Sequence, residues 1–116
     1  MNKIEEEEMS QPARINVQLV YEKLSKGNST LLVCAYSQEK FEASHLEGAI
    51  SLNELESKIP QLQMDAEIVF YWGWHGDASA VGLAAQYIEK GFQKVMVLDG
   101  GIEAWIASGY NIVNET

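Results

Sequence analysis

The only thiol in the chain is Cys34, which sits in the apolar run Leu31-Leu32-Val33-Cys34-Ala35. The other groups suited to nucleophilic or acid–base work gather in one short stretch, Gly73-Trp74-His75-Gly76-Asp77-Ala78-Ser79. A cysteine does covalent chemistry as a thiolate, which needs a nearby cation or a helix N-terminus to lower its pKa. His75, Asp77 and Ser79 are the residue types of a hydrolase. A base must meet its nucleophile within hydrogen-bond distance, however, and spacing alone does not establish that. Ser79 also suits the cap or first turn of a helix. His75, His45, Asp77 and Cys34 carry metal-binding atoms but lack a tight ligand spacing, so no metal is expected. His45 is expected to fix its own turn by hydrogen bonding. Trp74, between two glycines, is either an exposed indole of the kind that anchors interfaces or a ring folded back over a cleft. Gly73 and Gly76 suit backbone with positive φ.

The stretch has to be held by the elements on either side of it. Ile68-Val69-Phe70-Tyr71-Trp72 is a run of bulky apolar residues, the pattern of a strand buried on both faces of a parallel sheet. Trp72 should face the core. After the stretch, Ala80, Leu83, Ala84, Tyr87 and Ile88 recur at helical spacing, and Gly91 stops the helix. This is a strand, a tight loop and a helix. In an open α/β sheet such a loop lies at the carboxyl end of the strands, where ligands bind. Loop amides and a helix N-terminus together suit an anion, although Asp77 opposes one.

The rest of the chain repeats this alternation. Residues 1–12 read as a flexible acidic tail containing Glu5 to Glu8. Ala13-Arg14-Ile15 is a short edge strand, and Asn16 caps a helix with Val17, Val20, Tyr21 and Leu24 on one face. Leu31 to Ala35 is a strand. Ser37 to Ala43 is a short helix with Ser37 as cap and Phe41 inward. Ser44 to Ile50 is a turn feeding a short strand. Asn53 caps a further helix with Leu55 and Ile59 inward, closed by Pro60, and Gln61 to Glu67 is a connector. Lys94 to Leu98 is a buried strand and Phe92 packs beneath the connector before it. Asp99-Gly100-Gly101 makes a turn, and Ile102, Trp105 and Ile106 form the buried face of a last helix ended by Gly109. Alternating strands and helices predict an α/β fold with a central parallel sheet of four to five strands and helices on both faces. The domain is expected to span residues 13–113, with a C-terminal tail at 114–116.

Length and charge narrow the function. A chain of 116 residues favours one domain, and 47% hydrophobic residues suit a folded one. A net charge of −9 disfavours nucleic acid and anionic membrane surfaces, because both call for a basic patch. Met1 to Ile4 runs directly into glutamates without an apolar core, so no export signal is expected. With a single cysteine, no intramolecular disulfide can form, and a reducing cytoplasm is the expected compartment.

Four segments resemble the rhodanese-like (thiosulfate sulfurtransferase) domain family. Leu31 to Tyr36 is similar to its strand ending in Asp-Val-Arg. Phe41 to Ile50, with Ser44-His45-Leu46-Glu47-Gly48-Ala49, resembles its Gly-His-Ile-x-Gly-Ala turn. Gly91-Phe92 through Val97-Leu98-Asp99-Gly100-Gly101-Ile102-Glu103-Ala104-Trp105 resembles its C-terminal signature. Ile68 to Ser79 resembles its active-site segment, and the resemblance runs from Ala13 to Val113. Aligned on Gly76 and Ser79, the nucleophilic cysteine falls at Gly73 and the loop arginine at Ala78. Shifting the register by one puts Trp72 at the cysteine. The family's aspartate and arginine at the earlier strand fall at Cys34 and Tyr36. The resemblance therefore implies a sulfurtransferase fold without its usual loop thiol. The expectation is a catalytically inactive recognition module that binds an unknown protein or small ligand through residues 73–78, with Trp74, His75, Asp77 and Tyr36 as binding candidates. Cys34 is the weak catalytic candidate, for an alternative sulfurtransferase or sulfur carrier. A phosphatase-like hydrolase ranks last, since the phosphatases of this fold also need a loop cysteine and arginine. No cofactor is expected, and the chain is expected to be a monomer or weak dimer.

Overall fold

The computed structural model describes residues 12–27, 29–72 and 78–114. The elements in chain order are β1 (Ala13–Ile15), α1 (Val17–Ser25), β2 (Leu31–Cys34), α2 (Gln38–Ala43), β3 (Ser44–Leu46), α3 (Leu52–Lys58), β4 (Glu67–Tyr71), α4 (Ala78–Glu89), β5 (Lys94–Leu98), α5 (Gly101–Ala107) and β6 (Ile112–Asn114). A 3₁₀ turn, Ile59–Gln61, follows α3 with Pro60 inside it. β1, β5, β4 and β2 form one sheet in that order, and every pairing is parallel. Ile50 adds a parallel bridge to Val33 at the outer edge.

β4 explains the layering. Its residues Ile68 to Tyr71 are all buried. Strand side chains alternate between the faces, so each face receives half of them. Ile68 and Phe70 join Val33, Ala35, Val95 and Val97 under α3 and α4, where Leu55, Ala80, Ala84 and Tyr87 close the layer. Val69 and Tyr71 join Leu32, Cys34 and Leu98 under α1 and α5, where Val17, Val20, Ile102 and Trp105 close the other. Each fully buried Leu, Ile or Phe contributes about 1.5–3 kcal/mol of transfer free energy. The sheet with helices on both faces is the predicted architecture.

Most helix starts follow their predicted chemistry. The Asn16 side chain accepts from the Leu19 amide at 2.8 Å, and the Ser37 hydroxyl accepts from the Lys40 amide at 3.3 Å. The cap of α3 differs from the expectation. It is Ser51, whose hydroxyl accepts from the Glu54 amide at 3.0 Å, and Asn53 lies inside the first turn. Ser-Leu-Asn-Glu carries the Ser-x-x-Glu spacing of a helix start, which outweighs the single Asn.

Two further differences have physical causes. Ser44 to Leu46 is not a bare turn but a strand, pairing antiparallel with β6; its partner is remote in sequence and too short to show a period of its own. Ile106 is exposed, because the short α5 fills its buried stripe with Ile102 and Trp105. Tyr21, on the face shared with Val17, Val20 and Leu24, is partly exposed, and its ring stacks on Tyr110 with centroids 4.1 Å apart.

At the amino edge of the sheet, Glu67 ties two layers together. Thr30 donates its hydroxyl hydrogen to the carboxylate at 2.6 Å, and Lys23 of α1 lies 3.2 Å from it. The Thr30 bond, ahead of the lysine, holds the carboxyl below its ordinary value of 4.5. A carboxyl with a lowered folded pKa stabilises the fold above its unfolded pKa and loses that contribution as pH falls through the folded value. Glu67→Gln should therefore cost about 1 kcal/mol at neutral pH. The difference in Tm from the native chain should shrink as acid takes the pH below 4.5; an unchanged difference would assign the contact no electrostatic role.

Candidate functional site

Four parallel strands deliver their carboxyl ends to one edge of the sheet, at Ile15, Leu98, Tyr71 and Cys34. The loop joining β4 to α4 leaves from that edge. Of the residues singled out in the sequence, Gly73, Trp74, His75, Gly76 and Asp77 lie outside the described residues. The frame that holds them is described. Trp72 precedes the loop, and Ala78 and Ser79 open α4, both exposed.

Trp72 faces the core, as its place in the apolar run predicts. It is 9% exposed and lies among Ala35, Ala80 and Phe70. Its indole rests flat on Gly101, the first residue of α5. A Cβ built on Gly101 would stand 2.5 Å from Trp72 Cε2 and 2.8 Å from Nε1. Gly101 has φ of +61°, and Gly100 before it has φ of +83°. Glycine at 101 thus meets two demands at once, a left-handed backbone and the close approach of an aromatic face. The Arg14 guanidinium of β1 stands 5.9 Å from the same ring, within cation–π range. The start of the loop, the β5–α5 turn and the edge strand are thereby packed into one unit.

Cys34 lies on the other face. Adjacent strands place it beside Tyr71, and its side chain joins the layer under α1 and α5, while the helix that follows the loop covers the opposite face. Cys34 is 3% exposed. Burial pushes its pKa up, against the smaller opposing pull of the Tyr36 backbone and the Tyr71 phenol. Burial also pushes the Tyr71 phenol upward, so it keeps its proton. That phenol accepts from the Leu46 amide at 3.2 Å, linking β3 and β4. A thiol so placed is a poor nucleophile, because both access and thiolate fraction are reduced.

Tyr36 follows β2 at the same edge and is half-buried, with Lys40 Nζ 5.0 Å over its ring. His45 does what its place in the turn suggests. Its Nδ1 lies 2.8 Å from the Phe41 carbonyl, and its ring stacks on Phe41 with centroids 3.9 Å apart. Among the described residues, no three His, Cys, Asp or Glu side chains gather as a metal site. Nor, among them, is any helix long and apolar enough to cross a membrane.

The edge thus has the frame of a loop site whose neighbouring strand carries a buried thiol. The Rhodanese-like domain family matches residues 16–108 of this chain. The chain belongs to that family. Among curated proteins, this rhodanese-like domain is 36% identical to a thiosulfate sulfurtransferase, GlpE of Shewanella oneidensis, over 85 residues, 71% of this chain and 81% of the relative. Its fold is similar to the Alr3790 protein of Anabaena, with a TM-score of 0.75 at 19% identity, covering 86% of this chain and 91% of that one. It is also similar to a thiosulfate sulfurtransferase of Pseudomonas aeruginosa, with a TM-score of 0.77 at 21% identity, covering 90% of this chain but 20% of the larger protein.

The sequence pointed to the double glycine only as a turn. It held no sign that Trp72 would lie on Gly101, because that contact joins residues far apart in the chain. Likewise, nothing local marked the Tyr71 phenol as the partner of the Leu46 amide. Two measurements test this geometry. Gly101→Ala should destabilise the domain by about 2–4 kcal/mol in urea unfolding, combining backbone strain with overpacking; a change within about 0.5 kcal/mol would mean that the indole can move aside freely. Cys34 in the folded protein should react with an aromatic disulfide reagent at least about a hundredfold more slowly than in urea-unfolded chain, since attack waits on opening of the layer. Equal rates would place the thiol at the surface.

Proposed function

We propose that this domain is a catalytically silent rhodanese-like recognition module, using the loop at residues 73–78 to bind a protein or small ligand. The supporting observation is where the single thiol lies. Cys34 is buried under α1 and α5 with its pKa raised, and the loop stretch Gly73 to Ala78 contains no cysteine. The Shewanella relative is named for thiosulfate sulfur transfer. In that chemistry a thiolate attacks the outer sulfur of thiosulfate, sulfite departs with the bonding pair, and the enzyme is left as a persulfide. Gly73 has no atom to make that attack. Ala78 offers no cation to the incoming anion, and Asp77 adds a repulsive charge. Loss of the nucleophile from a well-studied covalent enzyme lowers the rate by about a million-fold. That leaves the frame intact and its chemistry absent.

Recognition then falls to the side chains the loop does carry. Trp74 offers a large rigid apolar surface, and His75 and Asp77 offer a donor, an acceptor and charge. Tyr36, half-buried on the same edge, adds a ring within reach of a cation, since Lys40 already occupies such a position. Aromatic residues of this type dominate binding energy at interfaces. The acidic character of the whole chain favours a neutral or cationic ligand over a small anion.

The second reading is sulfur carriage by Cys34: it lies beside Tyr71 in the strand register, and the Tyr36 backbone and the Tyr71 phenol both pull its pKa down, in the sense that favours a thiolate. Burial opposes them as the larger effect.

Intact mass separates the two. The native chain and Cys34→Ser are incubated with thiosulfate and, separately, with a low-molecular-weight persulfide. The silent reading expects no sulfur adduct on either. An adduct on the native chain that is missing from Cys34→Ser would overturn it in favour of the carrier. The loop assignment has its own test. Gly73→Cys alone should give little thiosulfate:cyanide sulfur transfer, and Gly73→Cys with Ala78→Arg should give at least about tenfold more, because one added cation beside a thiolate and its anionic substrate is worth roughly 1.4 kcal/mol or more. Vigorous turnover by the single variant would refute the stated role of position 78.

A further inference from the structure

We draw no further inference here: the strongest candidate, the open trough at the amino edge of the sheet between Lys23, Thr30, Asp65 and Glu67 and continuing past Leu31, Lys58 and Leu62, carries nothing, because its central carboxylate is already taken up by Thr30 and Lys23 and nothing in the structure shows what covers it.

Discussion

The fold depends on β4 being paired along both edges and covered on both faces. Its backbone is bonded to β2 on one side and β5 on the other, and four of its five side chains are buried. A strand in that position has no freedom to shift register, since a slip of one residue would exchange every side chain between two different layers. Whatever follows its carboxyl end therefore starts from a fixed point and in a fixed direction. Trp72 extends that certainty one residue past the last ladder pair, because its ring is held against Gly101. The loop of this domain inherits a rigid origin from the sheet, whatever side chains it carries.

This arrangement accounts for what was legible in the sequence. The unbroken apolar run at 68–72, the helical spacing after Ser79 and the glycines at 91 and 109 that close their helices are local signals, and each led to an element that exists. Asn16 and Ser37 were legible as caps for the same reason: the capping residue bonds an amide three residues away. The failures were of two kinds. Asn53 lost to Ser51 because two local signals competed and the one with a glutamate at the right spacing prevailed. The β3–β6 ribbon was missed because three-residue strands have no readable period, and their pairing joins Ser44–Leu46 to a segment near the opposite end of the chain. Site chemistry was legible as residue types and hidden as geometry. The sequence offered Cys34 near the carboxyl end of a strand; the face to which its thiol turns follows from alternation along β2 and from the burial of that whole face.

The two ends of the sheet have divided duties. At the amino edge, Glu67, Thr30 and Lys23 bind helix to sheet through charge and hydrogen bonds. At the carboxyl edge, the packing of Trp72, Gly101 and Arg14 is mainly a matter of shape.

The Tyr71 phenol carries a last consequence. One hydroxyl on β4 accepts from the amide of Leu46 in β3, so a polar rivet fastens the small ribbon to the main sheet inside a largely apolar layer. Cys34 is packed into that same layer beside Tyr71, so any residue that replaced it would have to remain compact. Position 34 is thereby restricted in what it can become, and a thiol there persists as masonry whether or not it ever meets sulfur.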